Sequence, residues 1–66
     1  MKASALRQFR LDHGMTLVEA ADKLGVSVSH LSDMERGESR PSPKLAEKLA
    51  KKTAIPVLVL LGLERA

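Results

Sequence analysis

The stretch that decides the fold is Leu17 to Arg36, LVEAADKLGVSVSHLSDMER. Thr16 stands just before it as a helix cap, and Glu19 three residues later completes a capping box. Leu17, Ala20, Ala21 and Leu24 then follow at helical spacing until Gly25 breaks the pattern. Ser27 caps a second helix, Val28 to Arg36, which Gly37 ends. Two helices this close to one tight turn have little freedom. Counting from Leu17, the fifth residue must be small where the helices touch, and it is Ala21. The ninth must tolerate positive φ, and it is Gly25. The places that fill the angle between the helices must be apolar; they are Ala20, Leu24, Val26, Leu31 and Met34. Every requirement is met.

Working outward, a helix is expected from about Lys2 or Ala3 to Asp12, burying Leu6 and Phe9, with Gly14 as its stop. Beyond Gly37, the connection Glu38 to Pro41 leads to Ser42, a cap with Pro43 in the favoured first helical position. That helix runs to about Lys52, with Leu45 and Leu49 inward and Lys44, Lys48 and Lys51 on an outer stripe. Pro56 opens a fifth, short helix that stops near Gly62. No segment alternates with period two over a useful length, so the expected fold is all-α.

The 66 residues predict a single domain. A chain of this size buries only about 60% of the surface its unfolded form exposes, which makes a partner subunit energetically useful. There is no cysteine, and His13 and His30 are the only histidines, so neither a disulfide framework nor a zinc site is expected. The longest apolar run, Val57 to Leu61, is far short of the ~20 residues of a membrane span. No stretch resembles a signal peptide, and a cytoplasmic location is expected. Net charge is +3, which favours polyanions weakly. Phe9 is the only aromatic residue, which argues against single-strand binding on stacking platforms. Charge is unevenly placed. Lys2, Arg7 and Arg10 lie at one end and Arg40, Lys44, Lys48, Lys51 and Lys52 at the other, with six acids among residues 12–38 between them. No nucleophile–base pair, metal set or glycine-rich phosphate loop is present, so an enzyme and a cofactor are not expected.

These residues resemble the phage repressor and Cro family, also called the XRE family, over most of the chain from about Leu6 to Leu63. The strongest local matches are Gly14-Met15-Thr16, Ala21 to Ser27, Glu35-Arg36-Gly37 and Arg40-Pro41. The resemblance implies a five-helix lambda-repressor-like domain over 1–66, with a helix-turn-helix unit at 17–36 and a C-terminal helix over 56–62. It also implies binding to double-stranded DNA with the third helix in the major groove.

At 3.6 residues per turn, Leu31, Met34 and Glu35 face inward, while Val28, Ser29, Ser32, Asp33 and Arg36 face outward. The resemblance makes Val28, Ser29, Ser32 and Asp33 the base-reading set. Valine suits a thymine methyl, aspartate accepts from a cytosine amino group, and serine is promiscuous. Without the surrounding motif the same residues would be an ordinary solvated face. Asp33 has a second reading, as a partner that orients Arg36 three positions on or excludes non-cognate sites. Thr16, Leu17, Ser27, His30, Arg36 and Arg40 fall on the phosphate side or flank. The lysines of the fourth helix are open between a solvated face and DNA contact. A lone carboxylate at Glu35 would be costly on the core side, and the family often pairs that place with an arginine late in helix one. Arg10 and Glu35 match as a structural ion pair. Two residues depart from the family pattern. Leu17 stands where a glutamine commonly donates to phosphate, and Ala20 where a larger aliphatic is usual, leaving Leu17 or Val18 to fill the space.

The fifth helix is apolar on every side, which calls for burial on every side. Ile55, Val57 and Leu60 are assigned to the core, and Leu58, Val59, Leu61 and Leu63 to an isologous dimer patch, unless they merely cover a thin core. The function expected is a bacterial or phage-encoded, nucleoid-associated homodimeric repressor on an inverted-repeat operator. The alternative is an antitoxin or interaction module whose main partner is another protein, with DNA binding secondary.

Overall fold

Serine and threonine hydroxyls start four of the five helices. In the computed structural model, which describes residues 4–63, Ser4, Thr16, Ser27 and Ser42 each accept from the backbone N–H three residues on. The helices are α1 (Ala5–Asp12), α2 (Leu17–Leu24), α3 (Val28–Glu35), α4 (Pro43–Thr53) and α5 (Val57–Leu60). No strand occurs among the described residues. The first helix starts later than expected at Lys2 or Ala3. Ser4 is extended (φ −65°, ψ 160°) and its Oγ takes the Arg7 N–H at 3.1 Å, so the cap sets the start of the described helix at Ala5. Residues 1–3 lie outside the described residues.

At Thr16 the capping box is complete. Its Oγ1 accepts from the Glu19 N–H at 3.1 Å, and its own N–H donates to Glu19 Oε1 at 2.9 Å. That backbone donor holds the Glu19 carboxyl below the usual range, assisted by the threonine hydroxyl and opposed by slight desolvation. The α2–α3 turn closes as a Schellman motif, with Val26 N–H on Ala21 O at 3.0 Å and Gly25 N–H on Asp22 O at 3.3 Å. It needs Gly25 at φ 72°, where a side chain would be strained.

The core is Leu6, Ala20, Ala21, Leu24, Leu31, Met34, Ala46, Leu49 and Leu60. Burying each of Leu24, Leu31 and Leu49 stabilises the fold by roughly 1.5–3 kcal/mol. Helix α2 packs on α3, α1 on α3 and α5, and α4 on α5. Ala20 and Ala21 are almost fully buried, so α2 and α3 meet closely. Of the two neighbours expected to compensate for the small Ala20, Leu17 packs against the core, whereas Val18 is 65% exposed. Phe9, expected in the core, is only half-buried. It lies 4.2 Å from the His13 ring and lines a shallow depression with Ile55, because the inward face of α1 is already taken by Leu6.

Candidate nucleic-acid interface

The outer face of α3 is open. Val28 and Ser29 are exposed, and His30, Ser32 and Asp33 half-buried, while Leu31 and Met34 on the opposite face are buried. Ser27 at the head of this helix gives its hydroxyl to the His30 N–H as an acceptor at 3.0 Å. The hydroxyls of Ser27 and Thr16 each accept within their caps and keep a hydrogen to donate outward.

What holds α3 at its angle is Arg10. From the last turn of α1, its Nε donates to Glu35 Oε2 at 2.8 Å and its Nη2 to Glu35 Oε1 at 3.1 Å. A third donor, Nη1, reaches the Met15 carbonyl at 3.2 Å, tying the α1–α2 connection to the same guanidinium. The side chains are only 15% and 6% exposed. The carboxylate hydrogen bond drives the Arg10 pKa above its ordinary value, with desolvation opposing it and the attraction of Glu35 adding to it. One guanidinium thus joins α1, the α1–α2 connection and α3.

Other expected contacts are distributed differently. Leu17 offers no side chain to the flank, since it packs against the core; the first-turn amides of α2 at Leu17 and Val18 remain as donors there. One oxygen of the Asp33 carboxylate is already engaged. Its Oδ1 takes Arg36 Nη2 at 2.6 Å, and the same nitrogen donates to Glu38 Oε2 at 3.1 Å. Arg36 closes α3 as its C-cap, one residue after the last helical position. Arg40 lies with its guanidinium against Gly62, so that a Cβ built on Gly62 would stand 2.8 Å from Arg40 Cζ. The charged ends of Lys48 and Lys52 gather at Gly25, and Lys52 Nζ donates to the Lys23 carbonyl at 3.3 Å. These two cations face the C-terminal end of α2, where the helix dipole is negative.

On and just beyond α5, Leu58 and Leu63 are 49% and 71% exposed and Val59 is half-buried. Leu61, expected in the same outer patch, is half-buried and packs against the core. Leu61 is the C-cap of this single-turn helix, its N–H on the Val57 carbonyl, rather than a continuation of an outward helical face. Ile55 and Val57 pack against the core and Leu60 is buried, as expected. Two features lacked any periodic signal in the sequence: the exposed Leu11 on α1, and Glu38, whose place beside Arg36 depends on how the chain turns after α3.

A helix-turn-helix family model matches residues 6–60. The transcriptional regulator ClgR of Mycobacterium tuberculosis is 38% identical over 56 residues, covering 85% of this chain and 50% of that protein. The HTH-type transcriptional regulator SinR of Bacillus subtilis is 36% identical over 62 residues, covering 92% and 56%. An HTH-type transcriptional regulator of Methanocaldococcus jannaschii is 44% identical over 46 residues, covering 70% of each chain. The chain spans about half the length of the first two. No solved structure matches it. The capped α2–turn–α3 unit, its open outer face and these similarities agree: the chain belongs to the XRE, or phage repressor and Cro-like, helix-turn-helix family of DNA-binding transcriptional regulators.

Proposed function

We propose that this protein is a cytoplasmic, homodimeric repressor that binds an inverted-repeat operator with α3 in the major groove. The observation behind this reading is the division of α3. Its inner face is held by Leu31, Met34 and the Arg10–Glu35 pair, while on the other face Val28 and Ser29 are exposed and Ser32 is half-buried. A rigid inner face with an open, short-chained polar outer face suits base edges at close range. Dimerisation supplies the discrimination that so small a reading set lacks, since two half-sites multiply it.

Selecting bound duplexes from a random pool tests the reading. The expected result is a two-fold symmetric site with half-sites about 34 Å apart, and an affinity that falls with salt at about 0.9 log units per log unit for each phosphate neutralised. Enrichment of an unsymmetrical site by a monomer overturns the dimer. No binding to any duplex at low salt overturns the DNA reading.

A further inference from the structure

Arg36 is the one arginine at the exposed end of the recognition helix, and two carboxylates already hold it. Asp33, Arg36 and Glu38 side chains are 43%, 58% and 63% exposed, so the cluster adds little to stability. Yet it is built by the backbone. After Gly37 the chain turns back, and the Glu38 N–H donates to the Asp33 carbonyl at 2.9 Å, with the Ser39 N–H on the same oxygen at 3.3 Å. That closure seats Glu38 over the last turn of α3, beside Asp33. One positive and two negative charges leave a net −1 where phosphates would otherwise meet a free arginine.

We infer that Asp33 and Glu38 form an anionic sheath that withholds Arg36 from non-cognate phosphates, making Glu38 a specificity-determining residue that acts through Arg36. The inference rests on the DNA reading above. Non-specific binding is almost wholly a phosphate interaction, so masking one cation weakens it directly. At a matching site, Asp33 turns to a base-edge donor such as a cytosine amino group. Arg36 then exchanges a carboxylate for a phosphate. Base recognition and one backbone contact are thereby linked, and the ratio of specific to non-specific affinity rises.

The test measures binding to a short random-sequence duplex against salt. The proteins are the parent, Glu38→Gln and Asp33→Asn/Glu38→Gln, each also with Arg36→Met. Freeing Arg36 should steepen the log–log salt slope of the double variant by about 0.9. Its advantage over the parent then grows about 3.5-fold for each fourfold dilution of salt. Glu38→Gln alone should shift the same way by less, and Arg36→Met should abolish both gains. Equal gains in the Arg36→Met background would show the carboxylates acting as bare charges and overturn the sheath. So would an unchanged slope in a parent that binds duplex normally. Failure of the parent itself to bind any duplex at low salt overturns the underlying DNA reading as well.

Discussion

Glu35 and Glu38 lie three residues apart and carry the same charge, but the chain puts them in opposite environments. Glu35 takes two hydrogen bonds from Arg10 with its side chain 6% exposed, whereas the Glu38 side chain is 63% exposed. Glu35→Ala leaves the Arg10 guanidinium desolvated and unpaired, at a cost of about 3 kcal/mol. Glu38→Ala changes stability by less than about 1 kcal/mol. Thermal or urea melts of the two variants should separate clearly, and coincident melts would show that the Arg10–Glu35 pair adds nothing to stability. That Glu35 needs a partner was legible because a carboxylate on the inward face of a periodic helix is costly alone, whereas Arg10 as that partner came from the family resemblance. The Asp33–Arg36 bond was legible as one of two readings, through its i,i+3 spacing. Glu38 on the same guanidinium was not, because loop residues follow no period and only the backbone turn after Gly37 brings it there.

Helix starts follow the same logic. Every side-chain cap among the described residues is a serine or threonine whose hydroxyl takes one of the first free amides. Helix ends follow glycine, with one exception. Helix α4 runs to Thr53, one residue beyond the expected stop near Lys52, and is closed by Ala54 at φ 62° with no glycine available. Thr53 assists the closure, donating from Oγ1 to Leu49 O at 2.8 Å and accepting from the Ile55 N–H at 3.2 Å. A non-glycine residue in the left-handed region costs roughly 1–2 kcal/mol. Ala54→Gly should therefore stabilise the protein by about 1 kcal/mol, raising Tm by about 4–8 °C for a domain of this size. Ala50→Gly, inside the same helix, should lower Tm instead, since glycine there costs about 1 kcal/mol. A fall in Tm for Ala54→Gly would show that the left-handed closure is unstrained.

At the scale of the whole molecule, the body measures 27 × 26 × 21 Å, and part of its exposed apolar surface is Leu58 on α5 and Leu63 just beyond it. A two-fold dimer reading successive major grooves needs each α3 about 17 Å from the axis, half of the 34 Å repeat. That distance fits within one subunit's longest extent, so a dimer axis near a surface of the body is compatible with the groove spacing. Leu61 is the wrong place to test this, because it packs against the core and a charge there would disturb the fold. Leu58 is the right one, half-exposed in the subunit and free of that ambiguity. In a two-fold interface, Leu58→Glu buries one carboxylate from each subunit near its symmetry mate, adding desolvation to like-charge repulsion. Sedimentation at micromolar concentration should show a dimeric parent and a monomeric Leu58→Glu variant with the same helical circular dichroism. The variant should keep its weak attraction to random duplex, which needs only one subunit's cations, and lose most of its preference for the selected site, which needs both half-sites. A parent that sediments as a monomer both free and on its selected DNA would remove the dimer and leave α5 as the cover of a thin core.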